Sequence, residues 1–276
     1  MSQLVGGFCL PHDPLITGLP DAAEPEIAKR VMGGFSSVKS RLQQLNVDTV
    51  IVIGDDHCAM FHPSCQPRLL LGIGHLEGPL EPEHWLKIPR RVVPNNTPLA
   101  EHLMKVGFER GFDWAISKTL VLDHSTMVPI HLAVPAGVRA VPVYISCGME
   151  PIISGQRCKQ LGQMLGEAVR SWGGNGRVAI LGTGGISHWV GMARNGEVNE
   201  EFDRRILAMV ESGDIDGLVA LTDDEVVEQA GNGALEIRNW IVAMSAMPDF
   251  KASVMAYEPV PPWITGLGFA ELAVLA

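Results

Sequence analysis

Thr49-Val50-Ile51-Val52-Ile53-Gly54-Asp55-Asp56-His57 is the stretch that decides the fold. A β-branched apolar run breaks into a glycine, two carboxylates and an imidazole. A strand with one wet face alternates apolar and polar residues; this one does not, so both its faces are covered. That is the mark of a parallel sheet with helices on either side. Two further runs read the same way. Leu4-Val5-Gly6-Gly7-Phe8-Cys9-Leu10 stops at Pro11-His12-Asp13-Pro14, and Val178-Ala179-Ile180-Leu181 runs into Gly182-Thr183-Gly184-Gly185-Ile186-Ser187-His188. Segment 138–146 is another expected strand. Between the strands, Ile27, Val31, Phe35, Val38 and Leu42 recur at helical spacing. Helices are predicted over about 99–110, 156–172 and 234–247, with Asn199 as the N-cap of a further one. Residues 58–98, rich in Pro and Gly, read as a long excursion over the sheet rim, and 252–257 as one more strand. With no repeat and no linker, the expectation is one α/β domain over 1–276, its central sheet mostly parallel and covered by helices on both faces.

Composition narrows the function. The chain has 276 residues, 46% hydrophobic and 19% charged, the balance of a globular enzyme. A net charge of −10 without any Lys/Arg run speaks against nucleic acid or an anionic membrane as partner. The 5 cysteines form no C-x-x-C pair, which fits a reducing cytosol. No basic segment followed by an apolar core opens the chain, and no apolar stretch is long enough for a bilayer. A cytoplasmic location is therefore expected.

In an open α/β sheet, ligands gather outside the carboxyl ends of the strands. His12, His57 and His188 all follow such ends. His12, between prolines, could equally be a surface turn residue. His57 follows two carboxylates, which are costly together unless something positive neutralises them or water solvates them. His188 closes a turn whose glycines let backbone approach a ligand closely; the spacing fits neither a dinucleotide fingerprint nor a P-loop. Asp123 could fix the tautomer of its neighbour His124. Glu236, flanking the apolar stripe of Ile237, Trp240, Ile241 and Met244, needs a cation, a metal or a proton if it faces the core; Arg238 or a place in the first helical turn is the plainer alternative. Two histidines and one carboxylate are the ligand set of non-haem ferrous oxygenases, and zinc hydrolases use a similar one.

Taken in order along the chain, His12, Asp55-Asp56-His57, Asp123-His124, Gly184-Gly185-Ile186-Ser187-His188 and Gly233-Ala234-Leu235-Glu236 resemble the type III extradiol ring-cleaving dioxygenases. That family includes the catalytic β subunit of protocatechuate 4,5-dioxygenase. The resemblance implies that His12, His57 and Glu236 bind Fe(II), that His188 is the acid/base beside the substrate hydroxyl, and that His124 is a second active-site histidine. It implies a small aromatic substrate and O2, with protocatechuate-like or gallate-like diols, aminophenols and hydroxypyridones all compatible. It also suggests a homo-oligomer, with or without a separate small subunit. Ser125 departs from the family pattern, which has glycine after the Asp-His pair. Arg90, Arg91 and Thr265 are candidate anchors for a substrate carboxylate. The competing expectation is a metal-binding protein of the same fold with zinc chemistry or a purely binding role.

Overall fold

The structure is a computed structural model and describes residues 2–275; Met1 and Ala276, the ends of the expected domain, lie outside the described residues. Nine strands build one sheet: β1 (Gln3–Leu10), β2 (Thr49–Gly54), β3 (Leu69–Gly78), β4 (Arg91–Val93), β5 (Ala115–Val121), β6 (Arg139–Ile145), β7 (Arg177–Thr183), β8 (Phe250–Val260) and β9 (Thr265–Val274). Their order is β4-β3-β6-β2-β7-β1-β9-β8, with β5 beside β3. The four strands at its centre, β6, β2, β7 and β1, run parallel. Antiparallel pairings extend the sheet on both sides, through β3 and β4 at one margin and β9 and β8 at the other.

Every residue of β2 is buried, and its side chains divide by parity. Ile51 and Ile53 join one core, together with Val141 and Val143 of β6 and Val178 and Ile180 of β7. Val50 and Val52 join the other, with Ala140, Tyr144, Ala179 and Leu181. The period-two geometry of a strand explains why an unbroken apolar run is needed when both faces are covered. On the second face lies the helix Pro25–Gln44, whose Val31, Phe35, Val38 and Leu42 are buried. Its Phe35 ring meets Phe269 of β9 edge-on, at 5.0 Å between centroids. The helices Gly155–Ser171 and Ile237–Ala246 pack over the first face.

The parallel register sets up the site. Leu10 pairs with Thr183, and Ile53 with Gly182, so β1, β7 and β2 end level with one another. His12, His57 and His188 leave from that common rim.

Residues 58–98 contain more structure than the rim excursion read from sequence. β3 crosses them, β4 follows, and the turn Glu83–Leu86 is helical. Glycines at 72 and 74 hide the strand from a propensity reading. A Cβ at Gly72 would lie 2.7 Å from the Pro142 ring of β6, so close strand packing explains the glycine. Similarly, 234–247 is two elements: a 3-10 turn, Asn232–Glu236, then the helix Ile237–Ala246. Glu236 stands at their junction. Among the described residues no helix is long and apolar enough to cross a membrane, and all five cysteines are free.

Candidate active site

One cavity of about 230 Å³ is lined by His12, His57, His124, His188 and Glu236, with Asp13, Pro14, Leu15, Val190, Ile264 and Thr265 around them. The five residues singled out from sequence thus converge from positions far apart in the chain.

His12 is held by its Nδ1. That nitrogen lies 2.9 Å from Thr183 Oγ1. The Thr183 hydroxyl in turn has two carbonyl acceptors, Ile53 at 2.9 Å and Ser125 at 3.1 Å. A hydroxyl with its hydrogen committed to a carbonyl accepts from the ring, so His12 carries its proton on Nδ1. Its Nε2 is left buried without a hydrogen-bond partner, 3.3 Å from Glu236 Oε2. His57 Nε2 lies 3.1 Å from Glu236 Oε1, while its Nδ1 faces Asp123 Oδ2 at 3.5 Å. Asp55, which the sequence left open between neutralised and solvated, is buried among them. Its oxygens lie 3.9 Å from His12 Nε2 and 3.6 Å from His57 Nε2. His12, Asp55, His57 and Glu236 each offer a ligand atom within 4.8 Å of the others.

The electrostatics of this group favour a cation. Desolvation opposes the charged form of both imidazoles, yet Glu236 and Asp55 raise the pKa of His12, and Asp55, Asp123 and Glu236 raise that of His57. Burial alone would push Glu236 up, but His12 and His57 hold it well below the usual carboxylate range. Burial dominates at Asp55 and raises it. Two imidazole nitrogens and a carboxylate, one nitrogen orphaned and buried, are a donor set that a divalent transition metal satisfies.

Backbone geometry supports Glu236. Gly185 N donates to its Oε2 at 2.8 Å. At Gly184, φ is +141° and a Cβ would lie 2.6 Å from that of Glu236, so both the conformation and the approach require glycine. Arg238, the alternative partner read from sequence, turns away to Asp223.

His188 is anchored by a separate set of partners. Its Nδ1 is 2.8 Å from the Ile264 carbonyl and 2.8 Å from Thr265 Oγ1. Thr265 donates to Asp13 Oδ2 at 2.6 Å. A carbonyl acceptor requires Nδ1–H, which leaves Nε2 as the free nitrogen of a residue lining the cavity. The turn before it is clamped from behind. Ser187 N and Oγ donate to Asp203 at 2.8 and 2.9 Å, and Tyr257 donates to the same carboxylate at 2.7 Å.

His124 opens the helix His124–Leu132. Its orienting group is Glu81, a residue the sequence reading did not single out. Glu81 Oε1 accepts from the His124 backbone N at 2.9 Å and from Nδ1 at 2.6 Å. Asp123, adjacent in sequence, is occupied elsewhere: it accepts from Ser125 Oγ at 2.7 Å and Tyr144 OH at 3.1 Å, besides facing His57. Ser125 in place of glycine therefore ties the carboxylate down. Its hydroxyl lies where a Cβ on Gly54 would come within 2.7 Å, so Gly54 makes the room. Thr265 lines the cavity, whereas Arg90 pairs with Glu77 and Arg91 lines a separate concavity with Lys39 and His131.

Against known proteins, a family model described as the catalytic LigB subunit of aromatic ring-opening dioxygenase matches residues 6–268. The chain belongs to that family and is a ring-cleaving dioxygenase of the extradiol type, as the motifs implied. Relatives named 2,3-dihydroxyphenylpropionate/2,3-dihydroxicinnamic acid 1,2-dioxygenase match nearly end to end. The protein from Photorhabdus laumondii is 24% identical, covering 96% of each chain. The one from Paraburkholderia xenovorans is 26% identical, covering 94% of this chain and 95% of the relative. In fold, the chain is similar to the crystal structure of an uncharacterized protein, JW3007, from Escherichia coli K12. The TM-score is 0.63 at 11% identity, covering 98% of this chain and 100% of that one.

Proposed function

We propose that the chain binds Fe(II) through His12, His57 and Glu236 and opens the ring of a catechol-type substrate, an ortho-diol or an aminophenol analogue, with both atoms of O2 incorporated. The observation that carries this reading is the buried, partnerless Nε2 of His12 facing Glu236, with His57 Nε2 on the other oxygen of the same carboxylate. A ferrous ion there supplies a Lewis acid that acidifies a coordinated hydroxyl and a redox centre that brings diol and O2 together.

The remaining steps belong to side chains. His188, with Nδ1–H committed to Ile264, takes the hydroxyl proton on Nε2 and later returns it to an oxygen of the opening ring. Thr265 and Asp13 keep the ring from turning as the proton moves. His124, held by Glu81 with its ring 4.3 Å from that of His57, supplies a second nitrogen that would hydrogen-bond a substrate oxygen or O2. Pro14, Leu15, Val190 and Ile264 exclude water from the ring's apolar edge.

The test is oxygen uptake by anaerobically Fe(II)-loaded protein given catechols, aminophenols and hydroxypyridones, with optical detection of a ring-opened product. Uptake is expected with at least one ortho-diol or aminophenol. His188→Phe is expected to keep its iron and lose about 10²–10⁴ in turnover. Iron-loaded protein that consumes no O2 with any of these compounds would overturn the reading, and zinc analysis of the protein as isolated would then decide between zinc chemistry and a purely binding role.

A further inference from the structure

Around the five residues that do the chemistry, the cavity has a second set of walls. Pro14, Leu15, Val190 and Ile264 are apolar, and the polar residues Asp13 and Thr265 are already bonded to each other. No lysine or arginine is among the described residues that line it. The three arginines the sequence offered as an anchor or a counterion are engaged or placed elsewhere: Arg90 with Glu77, Arg238 with Asp223, and Arg91 at a different concavity. The charged groups nearest the cavity are instead carboxylates, Asp13 and Glu236 at its surface and Asp55 and Asp123 behind. With the metal's open positions taken by the diol and O2, a substrate carboxylate in this space would lose water without gaining a lysine or arginine, and unpaired burial of a charge is strongly opposed. Size adds a second limit. About 230 Å³ falls below the roughly 300–1,000 Å³ of pockets for drug-sized ligands, which suits one ring with short substituents.

We propose that the preferred substrate is a single-ring ortho-diol or ortho-aminophenol whose other substituents are uncharged and short, such as hydrogen, methyl or halogen, and that carboxylated diols are disfavoured. This deepens the ring-opening reading above and rests on it. It departs from the relatives, whose named substrate carries a propionate or acrylate acid group.

The experiment compares catechol and 4-methylcatechol with protocatechuate and 3-(2,3-dihydroxyphenyl)propionate on the Fe(II)-loaded protein. It has two arms: kcat/KM from oxygen uptake, and affinity from anaerobic calorimetry, where no turnover occurs. The neutral diols are expected to lead by at least about tenfold in both. Equal or better values for either acid would overturn the proposal. Val190→Arg places a guanidinium on the apolar wall at a residue 44% exposed, where the longer side chain has room. It is expected to narrow the gap by improving the acids, and an unchanged ratio would count against a charge-based selection. If no compound is turned over, the ring-opening reading fails, and the calorimetric order still decides the preference for uncharged ligands.

Discussion

His12 is aimed by a residue that never touches the cavity. Thr183 ends β7 fully buried and links three chain segments: it accepts a hydrogen bond from His12 Nδ1 and donates its own to a carbonyl of β2 or of the helix carrying Ser125. Groups that orient a metal-bound histidine in this way typically contribute 10–100-fold in metal affinity. Thr183→Val keeps the shape and removes the acceptor. Iron titration of that variant is expected to give an affinity lower by about 10–100-fold, and native affinity would remove Thr183 from the site. Glu81 is the matching case for His124, whose ring lies 5.8 Å from that of His12. Glu81→Ala should retain iron and lose turnover, because His124 loses both bonds that set its ring. Glu81→Gln still offers an oxygen to both N–H groups and should recover much of the rate. Equal loss in the two variants would point to the charge rather than the geometry.

At the scale of elements, the legible part of the site is the part attached to strand ends. His12, His57 and His188 follow apolar runs, and the register of β1, β2 and β7 brings those ends level. Glu236 was legible because a carboxylate beside an apolar helical stripe needs a counterion. Glu81 was not: it lies 43 residues from the histidine it orients, and no local spacing encodes that partnership. Asp55 stays open in the sequence because a turn aspartate is usually solvated, and only the convergence of other elements buries this one. β3 and β9 escape a propensity reading for one reason: both carry glycines where neighbouring side chains fill the space, as a Cβ on Gly268 of β9 would lie 2.9 Å from Ile186 and 3.0 Å from Trp240. Asp203 gives this scale its own prediction. It joins the helix Glu200–Ser212 to the His188 turn and to β8, and burial pushes its pKa from 3.8 up to about 6 despite three donors. A folded-state pKa above the unfolded one means that the native state binds the extra proton. Stability is therefore lost as pH rises from about 4 to about 6, by some 2–3 kcal/mol, and is flat above. Asp203→Asn has no such proton. The stability difference between native protein and variant, from denaturant melts at pH 4.5, 5.5 and 6.5, should drift against the native protein as pH rises; a constant difference would remove Asp203 as the cause.

For the whole molecule, the proposed ligands come from positions 12, 57 and 236, so a bound metal would fasten segments far apart in the chain to one point. Without it, four carboxylates (Asp13, Asp55, Asp123 and Glu236) stand buried within or behind one small cavity of a chain that already carries a net charge of −10. Their charge is what raises the pKa of His12 and His57 against the effect of burial. A cation that binds the folded state alone stabilises it by RT ln(1 + [L]/Kd), about 2.7 kcal/mol at a hundredfold excess over Kd. In a chain of this size each kcal/mol moves the melting temperature by about 2–4 °C. Chelated protein is therefore expected to melt roughly 5–10 °C below the Fe(II)-reloaded form under anaerobic conditions. Glu236→Ala, which removes the carboxylate bridging His12 and His57, should melt at one temperature with or without iron. A shift that survives in that variant would mean the metal sits elsewhere. A shift that requires Glu236 but is produced equally by zinc would locate the site while leaving the choice of metal to the oxygen-uptake measurement.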